Sequence, residues 1–220
     1  MHEINQYLEI EFAGHQLLLL HQKALYLGDL KTLIIGDLHL GKIEHFRSSG
    51  IGMPARAAMH TFSQLTDLIS EISPEKVLFL GDLFHSIKNH SFDLFDNVLN
   101  EFPDVSFTLV SGNHDVLPES DYISLRMSVV EELIIENLWF THIPSTVAKK
   151  SMINISGHVH PGVRLKGKAK QSVLLPCFFV SECSMILPAF GYFTGHSIVQ
   201  PTHKSRIFAI ADKEVFEVPF

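Results

Sequence analysis

Cysteine is scarce in this chain: 220 residues carry only Cys177 and Cys183. A chain of this length does not depend on a disulfide, so two buried structural thiols are expected rather than a bridge or a catalytic thiolate. Long apolar runs are missing too. The longest purely aliphatic stretch near the start is Leu17–Leu20, far short of the about 20 residues of a spanning helix. No basic segment followed by an apolar run and a small-residue cleavage site opens the sequence. A soluble, cytoplasmic protein with no membrane association is therefore expected. Positive charge is not in excess either. The net charge is −7 and the pI about 6.0, which argues against nucleic-acid binding by bulk attraction. A local basic patch or a metal-centred site stays open. No Pro/Gly/Ser-rich linker, repeat or low-complexity segment divides the chain, so one domain over 1–220 is expected.

What is present suits a globular core: 46% of residues are hydrophobic. Short strands fill residues 7–36, with turns at Ala13-Gly14 and Asp29-Leu30-Lys31. Residues 41–53 are polar and Gly-rich and read as a long exposed loop. Pro54 then opens a helical pattern to about 72. Strands at 76–82 and 105–113 flank a helix at 91–101. Beyond them the pattern is mostly strand: 133–135, 138–141, 152–156, 162–166, 170–175, 178–182, 184–187, 206–210 and 214–218. This order predicts an α/β fold, two packed sheets flanked by helices.

Fourteen histidines is a high count, and their placement is informative. In "TLIIGDLHLGK" (32–42) an apolar strand ends in Asp37 and His39, two apart, so both side chains lie on the same side. "VLFLGD" ends at Asp82, "FTLVSGNHD" at Asn113, His114 and Asp115, "LWFTH" at His142, and "INISGHVH" at His158 and His160. Ligands gather beyond the carboxyl ends of strands in open α/β sheets. Five strand ends delivering Asp, His and Asn form a donor set for two divalent ions such as Mn²⁺, Fe²⁺ or Zn²⁺. Such a pair generates a hydroxide at neutral pH and clamps attacking and leaving oxygens of a phosphate ester.

These motifs, Asp37-Leu38-His39, Gly81-Asp82, Gly112-Asn113-His114-Asp115, His142 and Gly157-His158-Val159-His160, together resemble the calcineurin-like metallophosphoesterase superfamily. The resemblance implies a four-layer α/β/β/α fold and a ligand set. Asp37, His39 and His160 would hold one metal; Asn113, His142 and His158 the other; Asp82 would bridge. His114 would be the general acid, with Asp115 orienting its imidazole. One departure stands out: the superfamily usually has an acidic residue three beyond the Gly-Asp aspartate, and His85 takes that place here. It either contacts the substrate phosphate or bonds within its loop. The flanks, with Gly41, Lys42, Phe46, Arg47, Gly50 and Pro54, "GDLFHS", "SGHVHPGV" and the "LPCF…LPAFG" tail, resemble bacterial ligase-associated DNA-damage-response metallophosphoesterases. That similarity implies a manganese-dependent phosphodiesterase or DNA endonuclease in DNA repair, with ligase or helicase partners. A phosphomonoesterase or small-nucleotide hydrolase is the alternative within enzymes, and a metal-stabilised scaffold in a repair complex is the alternative outside them.

Other features weigh less. Residues 36–42 approach a P-loop, but Ile43 stands where the magnesium-binding Ser or Thr belongs, so a nucleotide site is set aside. Arg47 is expected to grip a substrate phosphate, whereas Lys42 and His45 are read as solvated loop charges. Arg164, with Lys166, Lys168 and Lys170, either follows a nucleic-acid backbone or guards an edge hairpin. Lys149-Lys150 reads as a solvated loop. His2, His15, His21, His60, His90, His196 and His203 have no ligand spacing, and His196 alone is a candidate to line the site. The Phe-rich tail reads as second-sheet core, with a base-stacking platform as the alternative.

Overall fold

A computed structural model describes residues 7–48, 50, 55–85, 88–145, 149, 151–167 and 171–220. Two mixed sheets pack face to face. The first orders its strands β1 (Tyr7–Phe12), β2 (His15–Leu20), β3 (Ala24–Leu27), β4 (Thr32–Ile35), β5 (Lys76–Leu80), β6 (Ser106–Val110) and β7 (Met127–Val130). Its first four strands form an antiparallel meander, and β4 to β7 run parallel. The β1–β2 hairpin turns through Ala13 and Gly14, both at positive φ, which suits the right-handed twist of the strands it joins.

Helices α1 (Lys42–Ser48), α2 (Ala55–Ile72), α3 (His90–Asn100) and α4 (Glu119–Ser124) connect the parallel strands. Phe62, Leu65 and Ile69 of α2 and Phe92, Phe95 and Leu99 of α3 repeat at helical spacing and meet Leu33, Ile35, Val77 and Phe79 of the sheet. Asn89 caps α3, its Oδ1 accepting from the Ser91 N–H at 2.9 Å.

The second sheet orders β14 (Ser197–Ile198), β11 (Pro161–Lys166), β12 (Ser172–Val180), β13 (Ser184–Ile186), β10 (Ile153–Ser156), β9 (Leu138–Thr141) and β8 (Leu133–Ile135), with β15 (Arg206–Ala211) and β16 (Glu214–Glu217) continuing from β12. Strand alternation sends Ile34, Leu78 and Leu80 to the face opposite Ile35 and Phe79. There they pack on Phe140, Ile155, Phe178, Met185 and Phe208 of the second sheet. The side chains of this sandwich core are fully or nearly fully buried. The outer face of the second sheet carries a smaller cluster, Val163, Cys177, Ile207, Ala209 and Val218.

Several details differ from the sequence expectation. The supposed loop after residue 41 contains helix α1. Its mostly polar composition hides two apolar positions, the buried Ile43 and the half-buried Phe46. Helix α4 and strands β7 and β14 had no strong periodic signal because each is short. The two strands expected at 170–175 and 178–182 are one. Pro176 falls where β12 changes partner, from β11 to β15. Lys149 is not merely solvated: its Nζ lies 2.8 Å from Glu132 Oε1 and 3.8 Å from the Trp139 ring centroid. Lys150, Lys168, Lys170 and Pro54 lie outside the described residues. Among those described, no helix is long and apolar enough to cross a membrane.

Cys177 is buried as expected, but Cys183 is exposed, in the turn between β12 and β13. Burial pushes the Cys177 thiol up to about 12. A thiol-specific chromogenic disulfide should therefore label one cysteine in the native protein and two in guanidinium; rapid labelling of both without denaturant contradicts this packing. Phe140→Ala, at the centre of the sandwich, should cost about 3–5 kcal/mol in a urea titration.

Candidate metal centre

Strands β4, β5 and β6 of the first sheet and β9 and β10 of the second all point their carboxyl ends at one place. The chain turns sharply there. Asp37, His39, Asp82, His158 and His160 all have positive φ, between 48° and 67°. That region is uncommon for residues with a Cβ, and such strain persists only where surroundings enforce it. Glycines make the enforcement possible. A Cβ on Gly81, itself at φ +75°, would overlap His142 Nδ1, and one on Gly157 would overlap Asp37 Oδ2. One on Gly112 would lie 2.5 Å from Asp82 Oδ1.

The expected donors form two groups, Asp37–His39–His160 and Asp82–His142–His158. In the first, His39 Nε2 lies 3.4 Å from His160 Nε2, and His160 Nε2 lies 3.3 Å from Asp37 Oδ1. In the second, His142 Nε2 lies 3.0 Å from His158 Nδ1, 3.4 Å from Asp82 Oδ1 and 3.1 Å from Asn113 Oδ1. Asp82 faces both groups, its Oδ2 standing 3.7 Å from His39 Nε2.

These contacts suit cations better than hydrogen bonds. The Leu80 carbonyl can only accept, so His142 Nδ1, 2.9 Å away, must donate to it. In the neutral ring Nε2 then carries a lone pair, aimed at the acceptor oxygens of Asn113 and Asp82. Asp37 is fully buried and its Oδ1 has no hydrogen-bond partner among the described residues. Burial, aided by Lys42 and the imidazoles of His160, His85 and His114, lowers the His39 pKa to about 2. Burial, followed by the His142 imidazole, lowers that of His158. Neutral imidazoles are the ligand form. A first-row ion bonded to two donors at about 2.1 Å holds them about 3.0–3.4 Å apart, close to the spacings here. The residues present thus fit two divalent ions.

His114 and His85 stand beside the first group. The His39 ring is 5.6 Å from each, and His85 stacks on His114 at 5.3 Å. Among the described residues no hydrogen bond joins Asp115 to the His114 imidazole. Its Oδ1 accepts from the Leu83 and Phe84 N–H groups at 2.9 and 3.4 Å and its Oδ2 from the Gly112 N–H at 2.8 Å. Through these N–H groups it braces the Asp82 and Asn113 loops. Burial raises its pKa.

Lys42 was read as a solvated charge, yet it is half-buried near Asp82 and His39. Burial lowers its pKa and the Asp82 carboxylate partly offsets this. Nothing is described of the His45 side chain. Arg47 and Arg164 are exposed on α1 and β11, with no hydrogen bond or ion pair to the cluster among the described residues. His196 packs over Gly162, two residues past His160, where a Cβ would meet its own Cβ at 2.8 Å.

Sequence reasoning missed the segment after β13. The Phe190 N–H donates to Gly36 O at 2.9 Å and the Gly191 N–H to Asp37 O at 3.1 Å. A Cβ at Gly191 would sit 2.5 Å from Leu38 O, so only glycine permits the approach. The lone glycine in the Phe-rich tail was the available signal.

Two sheets with paired His/Asp groups at their joined strand ends define a metallophosphoesterase. The chain belongs to the calcineurin-like phosphoesterase family, whose model matches residues 30–170. Among solved structures it is similar to the Pseudomonas putida nuclease MPE, at 28% identity over 96% of this chain and 100% of that one, with a TM-score of 0.80. The phosphoesterase Yfce from E. coli aligns at 14% identity over 85% of this chain and 97% of that one, with a TM-score of 0.44. No curated protein matches the chain.

Gly81→Ala should displace the His142 ring and lower affinity for a divalent transition-metal ion about 10–100-fold in calorimetry, as losses of ligand support commonly do. Unchanged affinity would mean that His142 is not held against Gly81.

Proposed function

We propose that the chain is a two-metal phosphodiesterase acting on nucleic acid, DNA in the first instance, with manganese as the working ion. Asp82 carries this reading, since its Oδ2 faces His39 of one donor group and its Oδ1 faces His142 of the other, so one carboxylate would serve both ions. When bound, the pair supplies an activated water and positive charge for the phosphate. In this reading Asp37, His39 and His160 hold one ion, and Asn113, His142 and His158 the other. The His114 imidazole gives its proton to the leaving oxygen. His85, stacked against it, hydrogen-bonds a phosphate oxygen. Arg47 and Arg164 meet the strand on either side of the cleaved bond. Likeness to a nuclease over 96% of the chain supports nucleic acid as the substrate class. The DNA-repair setting, with ligase or helicase partners, rests on the resemblance of the flanking segments.

The test compares manganese-loaded wild type and His114→Ala on a bis-aryl phosphodiester, its monoester and an oligonucleotide. The diester and the oligonucleotide should be cleaved. His114→Ala should lose about 10²–10⁴-fold in turnover yet keep its metal. What His114 gives Asp82 is a backbone hydrogen bond at 2.9 Å, which alanine preserves. Monoester-only cleavage, or full activity in the variant, overturns the proposal.

A further inference from the structure

Seventeen phenylalanines and four tyrosines are present, and most large aromatics described here are core. Phe178 and Phe190 in the tail are 0% and 1% exposed. Tyr192 is the exception in that tail, 55% exposed and two residues beyond Phe190. We propose that Tyr192, backed by His60, is a stacking subsite for an unpaired nucleobase of the strand whose phosphate occupies the metal centre. The inference rests on the nucleic-acid reading above and adds a base-binding site to it.

Position is the first argument. Tyr192 and His39 line one narrow cleft, together with Lys42, Phe62 and Phe193. Tyr192 also lines a wide groove of about 950 Å³ on its far side, along with Lys23, His60, Asp67, Val173 and Lys213. Tyr192 follows Gly191, whose N–H donates to the Asp37 carbonyl, so the ring stands next to the loop that carries Asp37 and His39 and faces the open groove. A substrate that is a chain must continue beyond the metal centre, and Tyr192 is shared between the cleft that His39 lines and this groove.

Rigidity is the second. Gly191 is bonded to the Asp37 carbonyl, and the Thr194 hydroxyl donates to Gly191 O at 3.0 Å. The platform is thus tied to the loop that carries the candidate ligands. His60 of α2 supports the tyrosine ring at a centroid distance of 4.9 Å, and Phe193 meets it edge-on at 5.0 Å. An aromatic face held this way loses little freedom when a base covers it.

Charge is the third. Lys23 and Lys213 share the groove with Asp67 and Asp212. The chain as a whole is at −7. Such a lining does not track phosphates, so a strand held there needs a sequence-tolerant contact to its bases. A paired base is already stacked inside its duplex, which makes an unpaired base the fitting occupant.

The test is binding in a His114→Ala background, where the strand stays intact. A manganese-loaded protein is titrated with a fluorescent single-stranded oligonucleotide and with a sugar–phosphate strand lacking bases. Adding Tyr192→Ala should weaken the base-bearing strand about tenfold and the baseless strand less than twofold. Tyr192→Phe should restore binding, since the ring and not the hydroxyl makes the contact. A 2-aminopurine next to the scissile phosphate should be quenched by the tyrosine-bearing protein and not by Tyr192→Ala. Equal affinities with and without the ring, or equal loss for both strands, overturn the subsite while leaving the nuclease reading intact. A wild type that cleaves small diesters but neither binds nor cleaves the oligonucleotide overturns both.

Discussion

The hydrogen bond from the His158 backbone N–H to Asp37 Oδ2, 2.9 Å long, ties the two sheets together at their functional edge. Asp37 follows β4 of the first sheet and His158 follows β10 of the second. The carboxylate is fully buried, so every polar neighbour has to be in register for it to be tolerated. Slippage of either strand by one residue would send its donors to the opposite face. The sandwich core behind it, from Ile34 and Leu80 to Phe140 and Ile155, holds that register.

A second constraint follows from charge. Asp37 and Asp82 are both buried, and the imidazoles between them, His39 and His142, are buried too. Burial keeps His39 neutral, so the ring does not offset the carboxylates. The donor set is one that binding of cations would complete, and the left-handed turns at Asp37, His39, Asp82, His158 and His160 keep it assembled beforehand. Around the donors, backbone does much of the holding: Asp115 accepts from three N–H groups, and His142 is fixed through the Leu80 carbonyl.

Net negative charge and a proposed polyanionic substrate are compatible if attraction is local. Lys42 is drawn in beside Asp82, while Arg47 and Arg164 stay on the surface. The mixed lining around Tyr192 extends the same logic away from the centre: shape and stacking act where charge does not.

The five strand ends were legible in the sequence because each is an apolar run closed by a small residue and a donor, and that pattern is local. The β1–β2 hairpin was legible for the same reason, through Ala13-Gly14. Helix α1 was not, since its two apolar positions, Ile43 and Phe46, span too few residues to give a periodic signal. Nor was the strand through Pro176, whose partner change belongs to β11 and β15 rather than to itself. The sequence by itself determined which residues could act as donors and on which strand ends they stand. Only the tertiary structure decided that Asp82 faces both groups, that Asp115 accepts from three backbone N–H groups, and that Tyr192 lines one cleft with His39. Those are distances between segments far apart in the chain, set by how two sheets pack, and no local pattern encodes them.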